Sequence, residues 1–204
     1  VYGVQAQGAA SMVQAVADKK LESLEEVHTF ADGIAVKSPG NLSYEMVREY
    51  VDELVTVSDD EIAAAILTLM EKQKIVSEGA GAVSVAAVLF NKLPLKGKKV
   101  VCIISGGNID VNILSRVISR GLLKTGRKAS LTLSLLDKPG QLEEVSRIIA
   151  ELGANVTKVD HNMNVEDSDI NGCYLTLRIE TRDFKHIEEI KKRLEITARI
   201  SHQL

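Results

Sequence analysis

The sequence has no tryptophan, only three prolines and two cysteines, and aromatic residues fill just 3% of its 204 positions. Each scarcity excludes something. So few aromatic rings leave no stacking platform for single-stranded nucleic acid. Lys and Arg number 25 against 28 Asp and Glu, a formal charge of −3, so there is no basic field to hold a phosphate backbone either. No apolar run approaches the roughly 18 residues of a membrane span. No basic leader precedes an apolar segment, and no Pro- or Gln/Asn-rich tract occurs. The expected address is cytoplasmic. Cys102 and Cys173 lie far apart in apolar alternating stretches, with no His at metal-ligand spacing along the chain. Neither a disulfide framework nor a metal site is expected, and both read as reduced, buried small hydrophobes.

What is present is a globular balance of 45% hydrophobic and 26% charged residues. Val1-Tyr2-Gly3-Val4 reads as a strand, and a chain opening on Val in mid-strand is expected to start inside a domain. Leu54 to Val57 is a second β-rich run. Ser58-Asp59-Asp60-Glu61 then has capping-box form, so a helix is expected there, with Ile62, Ile66, Leu69 and Met70 on one stripe to about Gln73. A small-residue helix follows from Ala80 to about Phe90. Lys99 to Ile104 is nearly all apolar and predicts a parallel strand buried on both faces. Ser105-Gly106-Gly107-Asn108 turns the chain into a helix from Asp110 to Arg120. Read alone, that turn is equally a ligand-binding strand end and a tight glycine exit, and it matches no nucleotide fingerprint.

The expected organisation is an α/β portion over residues 1–121, a linker at 122–127 and a second domain at 128–204. In the last, Leu131, Leu133 and Leu135 alternate as a strand, and Asp137-Lys138-Pro139-Gly140 is a turn. Leu142, Val145, Ile148, Ile149 and Leu152 form a helical stripe closed by Gly153. Val156 to Val159 and Cys173 to Ile179 are strands separated by a polar loop. Phe184, Ile187, Ile190 and Leu194 mark a second helix, and Ile196, Ala198 and Ile200 a last strand. The order βαββαβ predicts an α+β ferredoxin-like unit.

Four ordered segments carry a resemblance: Thr29-Phe30-Ala31-Asp32-Gly33-Ile34-Ala35-Val36, Val47 to Glu53, Glu78-Gly79-Ala80-Gly81-Ala82, and Ser105-Gly106-Gly107-Asn108-Ile109-Asp110. Together they resemble the threonine ammonia-lyases (threonine dehydratases), pyridoxal-phosphate enzymes of fold type II, in their carboxyl-terminal part. The βαββαβ unit resembles an ACT domain, the amino-acid-sensing module appended to many of them. The resemblance implies a cofactor, pyridoxal 5'-phosphate, met by Ser105 at the pyridine nitrogen, with Gly106 beside it. Gly33 would lie near it with its backbone carbonyl, and Glu78 would border the substrate side. As a bare residue Glu78 is also an ordinary helix-start carboxylate.

It further implies an amino-acid substrate, β-elimination to 2-oxobutanoate and ammonia, a place in isoleucine biosynthesis, and homo-oligomers formed through paired ACT domains. An amino-acid effector is expected at Asp137, Pro139, Gly140, Gln141, Leu142 and Asn155, although Asp and Pro-Gly are also plain turn chemistry. His161 reads as a surface residue. Two departures from the family pattern matter. No lysine here stands in the Schiff-base context of the family, so the chain alone is expected to be inactive, with no catalytic residue assigned. Where relatives place acidic metal ligands this chain has Gln5, Ala9 and Ser11, so no metal is expected. The alternative is a regulatory amino-acid-binding protein without catalysis.

Overall fold

The computed structural model describes residues 1–163, 171–195 and 199–201. Among them, no helix is long and apolar enough to cross a membrane. The chain divides into two compact units, Val1–Lys124 and Thr125–Leu204.

In the first unit, β1 (Tyr2–Ala6) pairs in parallel with β2 (Glu53–Val57), Val4 standing opposite Val55. Helices α1 (Ser11–Asp18) and α2 (Asn41–Tyr50) lie between them in the chain. Next come α3 (Asp59–Thr68), α4 (Gly79–Leu89) and α5 (Val111–Lys124). The capping box at the start of α3 is complete: the Glu61 amide donates to Ser58 Oγ, and the Ser58 amide donates to the Glu61 carboxylate at 2.8 Å. Beyond that box, residues Ile62 to Leu67 are all buried, so α3 is apolar on every side and forms the centre of the unit. It carries on through a wider turn, Leu69–Gln73, and ends at Lys74 in the left-handed conformation.

Two expectations are corrected here. Lys99 to Ile104 forms no strand; Val101 is 91% and Ile103 79% exposed. A strand needs a neighbour to satisfy its amides and carbonyls, and among the described residues none pairs with this segment. Its hold on the unit is the Ser84 hydroxyl donating to the Ile103 carbonyl at 2.8 Å, with Cys102 half-buried beside it. The helix expected to stop at Arg120 instead runs through the first three linker residues, 122–124. Gly121 breaks nothing: a Cβ there would lie 3.0 Å from the Ala63 carbonyl oxygen and 3.2 Å from Leu67, so glycine allows α5 to press onto α3.

The second unit is built from β3 (Lys128–Leu136), α6 (Gln141–Glu151), β4 (Asn155–Asn162), β5 (Gly172–Glu180), α7 (Phe184–Leu194) and β6 (Arg199–Ser201). The sheet is antiparallel in the order β4-β5-β3-β6. Ile196, Ala198 and the polar loop 164–170 lie outside the described residues. Period-two alternation sends Leu131, Leu133, Leu135, Cys173, Leu175, Leu177 and Ile179 to one face, where they pack on Val145, Ile148 and Ile149 of α6 and Ile190 and Leu194 of α7. Buried His186 pins α7: its Nδ1 accepts the Arg182 amide at 3.1 Å, so Nε2 carries the proton and donates to the Leu152 carbonyl at 2.9 Å.

Two measurements check the capping box. Ser58→Ala should cost about 1 kcal/mol in urea unfolding. Burial alone would raise the Glu61 carboxyl, but the Lys92 ammonium at 2.9 Å and the Ser58 amide hold it below its ordinary 4.5. A depressed folded value adds stability above the ordinary value and loses it as pH falls through the folded one. Glu61→Gln should therefore flatten the loss of stability between about pH 5 and pH 3.

Candidate functional site

The site grows from three close approaches in the first unit. The loop carrying Gly33 is anchored on α3, since Thr29 Oγ1 donates to Asp59 Oδ1 at 2.6 Å and the Phe30 amide to Oδ2 at 3.3 Å. That loop packs on the start of α4: a Cβ at Gly79 would lie 2.8 Å from Ala31 Cα. The Ser105 loop reaches the same helix end. A Cβ at Gly81 would lie 1.7 Å from the Ser105 carbonyl oxygen, and the Glu78 amide donates to the Gly106 carbonyl at 3.3 Å. Asp110 closes the loop by capping α5, its Oδ1 accepting the Asn112 amide at 2.7 Å.

These approaches gather two of the expected cofactor residues, Gly33 and Gly106, around the carboxylate of a third, Glu78. Gly106 sits at φ +73°, a conformation glycine alone adopts freely, and a Cβ there would lie 2.3 Å from Glu78 Cδ. A Cβ at Gly33 would lie 3.3 Å from Glu78 Oε1 and 3.0 Å from the Ala80 Cβ. At Gly106 the Glu78 carboxylate occupies the space a side chain would take, and it packs against Gly33. Glu78 is the N-cap residue of α4, yet its side chain accepts no cap hydrogen bond, so helix capping does not account for it. Ser105 is exposed, and its backbone carbonyl is held against Gly81. An exposed serine next to two glycines packed on one carboxylate is chemically suited to a heteroaromatic ring with a nitrogen acceptor.

Gln5, Ala9 and Ser11 offer no carboxylate. The Gln5 side-chain oxygen accepts the Val13 amide at 2.9 Å, Ala9 is wholly buried, and Ser11 Oγ is buried without a hydrogen-bond partner among the described residues.

In the second unit, the five expected effector residues 137 and 139–142 share the turn between β3 and α6, where Gly140 takes φ +91°. Asp137, Gly140, Gln141 and Leu142 line a cavity of about 110 Å³. Asn155 stands elsewhere: α6 carries the chain back along the sheet, and Asn155 pairs with Glu180 at the opposite end, donating to its carboxylate at 3.2 Å. The same cavity holds two residues with no assigned role in the sequence reading, His161 and Cys173. Their adjacency comes from strand register across a 12-residue separation, a signal that local spacing does not carry.

Two substitutions test the packing. Gly81→Ala would gain about 1 kcal/mol from helix propensity alone. The clash with the Ser105 backbone should outweigh this and leave a net loss of about 1–3 kcal/mol in urea unfolding, whereas a stabilised variant would contradict the geometry. Ser11→Ala removes a buried hydroxyl that lacks a partner, so stability should hold or rise; a loss above about 1 kcal/mol would reveal a hydrogen bond there.

The chain is 52% identical over 192 residues to the L-threonine ammonia-lyase of Thermotoga maritima, covering 94% of this chain and 48% of that protein. It is 39% identical over 195 residues to the L-threonine ammonia-lyase of Geobacter sulfurreducens, covering 96% and 48%. It therefore spans about half the length of these curated relatives. Among solved structures, the processed form of threonine deaminase isoform 2 from Solanum lycopersicum superposes with a TM-score of 0.55 at 34% identity, over 60% of this chain and 34% of that one. Maize serine racemase gives 0.51 at 30% identity, over 58% and 39%. Residues 1–106, the stretch that contains Gly33, Glu78, Ser105 and Gly106, match the family model for pyridoxal-phosphate dependent enzymes, and to that family this chain belongs.

Proposed function

We propose that this chain is part of a cytoplasmic pyridoxal-phosphate-dependent threonine ammonia-lyase, and that residues 128–204 form an amino-acid-binding ACT domain. The observation that carries the first half is the convergence of Gly33 and Gly106 on the Glu78 carboxylate, next to the exposed Ser105. Identity of 52% to the Thermotoga maritima enzyme supports it. Pyridoxal phosphate, when bound, supplies an electron sink for expulsion of the substrate's β-hydroxyl. Ser105 would hold the ring nitrogen with a hydroxyl, too weak an acid to keep it protonated. Glu78 would face the substrate, and the glycines at 33 and 106 keep side-chain bulk out of the ring's path.

The antiparallel βαββαβ order and the cavity at the β3–α6 turn support the second half. An effector ammonium would be met by Asp137, and its carboxylate by Lys138 and the α6 amides. Asn155 can join that site only from a second copy, because within one chain it lies at the other end of the sheet. The reading therefore includes at least a dimer. Isoleucine is the proposed effector, with valine, threonine and serine as alternatives.

Titrating the chain with pyridoxal phosphate should change the aldehyde absorbance band, and Ser105→Ala should weaken the change. An unchanged band would favour the regulatory protein without catalysis. No lysine stands in a Schiff-base context, so 2-oxobutanoate should not be released from threonine by this chain alone; clear turnover would refute that. Isoleucine at 100 times its Kd should add about 2.7 kcal/mol to stability or change the sedimentation coefficient, and no effect on either would remove the effector reading.

A further inference from the structure

Asp137, His161 and Cys173 each offer one ligand atom, and these three atoms lie within 4.8 Å of one another. Three strands bring them together. His161 of β4 stands opposite Leu175, so Cys173, two residues away on the same face of β5, is its diagonal neighbour. Cys173 in turn stands opposite Leu135 of β3, and Asp137 follows two residues later, where that strand enters the turn. Asp137 and His161 are exposed and Cys173 is buried, so the cluster sits at the rim where the core opens into the 110 Å³ cavity.

We propose that Asp137, His161 and Cys173 form a binding site for a thiophilic divalent cation of the zinc type, with its open coordination position facing the cavity. The donor set is one sulfur, one imidazole nitrogen and one carboxylate oxygen, each a zinc ligand. Bond lengths of about 2.0–2.3 Å in tetrahedral geometry put neighbouring donors roughly 3.4–3.6 Å apart. Side-chain rotation closes the difference, since two of the three residues are exposed. Three protein ligands with one open position is the pattern of a site that exchanges its fourth ligand. Without a cation the arrangement is costly for the thiolate: burial raises the Cys173 thiol, and the Asp137 charge beside it raises it further. A divalent ion reverses both effects, displacing the thiol proton to solvent as the metal–sulfur bond forms. Lys138, which also lines the cavity, is the charge that opposes the cation. This assignment rests on the ladder geometry and stands apart from the cofactor reading; it shares Asp137 and the cavity with the effector reading, so cation and effector would compete there.

The test is a Co2+ titration of the reduced, chelator-treated 204-residue chain, followed by absorbance. A thiolate-to-cobalt band should grow to one equivalent and be abolished by Zn2+ but not by Mg2+. Cys173→Ser should remove the band and Cys102→Ser should leave it. His161→Ala and Asp137→Asn, at exposed positions that leave the core intact, should each weaken Co2+ binding by about 100-fold or more, above the usual range for outer-shell changes. No band in the parent chain, a band that survives in Cys173→Ser, displacement by Mg2+, or unchanged affinity in His161→Ala would overturn the site.

Discussion

The contact on which the candidate cofactor site depends is backbone against helix. The Ser105 carbonyl rests where a side chain at position 81 would be, and the Gly106 carbonyl accepts the first amide at the head of α4. The first bars a Cβ at position 81, and the second is made by Gly106 in the positive φ that favours glycine. Once made, they fix the height and direction of the turn, and the positive φ of Gly106 brings it over Glu78. The Gly33 loop, clamped by Asp59 on α3, brings Gly33 against the same carboxylate. Glycine here is a steric requirement set by neighbouring backbone, and the chemistry of Ser105 and Glu78 follows from where those glycines let the chain run.

The second unit solves a different problem with a different device. Its sheet buries one alternating face under two helices, so the rim of that face is where polar groups can meet the core. The turn after β3, opened by Gly140, forms that rim, and it is where the exposed polar side chains of β4 and the turn meet the buried thiol of β5. The proposed effector and cation sites draw on the same property: a small cavity with several polar groups converging on it.

What sequence reasoning reached was local. The capping box at Ser58 and Glu61, the left-handed Gly153 and the alternation of β3 and β5 are each set by residues within a few positions of one another, and the structure holds all of them. Lys99 to Ile104 shows the limit. Its composition describes a strand that has found partners, but a partner is a non-local condition. Gly121 shows the reverse: the last residue before the expected linker serves close helix packing. Asn155 and His161 exchanged places for one reason. The direction in which α6 returns the chain decides which end of β4 meets the turn, and the end that arrives carries His161. For Ser105, Gly33 and Glu78, family resemblance supplied the roles; their common neighbourhood became visible only once the loops were placed.

A 15N-labelled sample of the chain titrated with pyridoxal phosphate tests this account most directly. The account predicts that the amides of Gly33, Gly79 and Gly106 shift together and saturably, while those of Asp137 to Leu142 stay in place. Shifts confined to the second unit, or amides at 33, 79 and 106 that do not move, would contradict it.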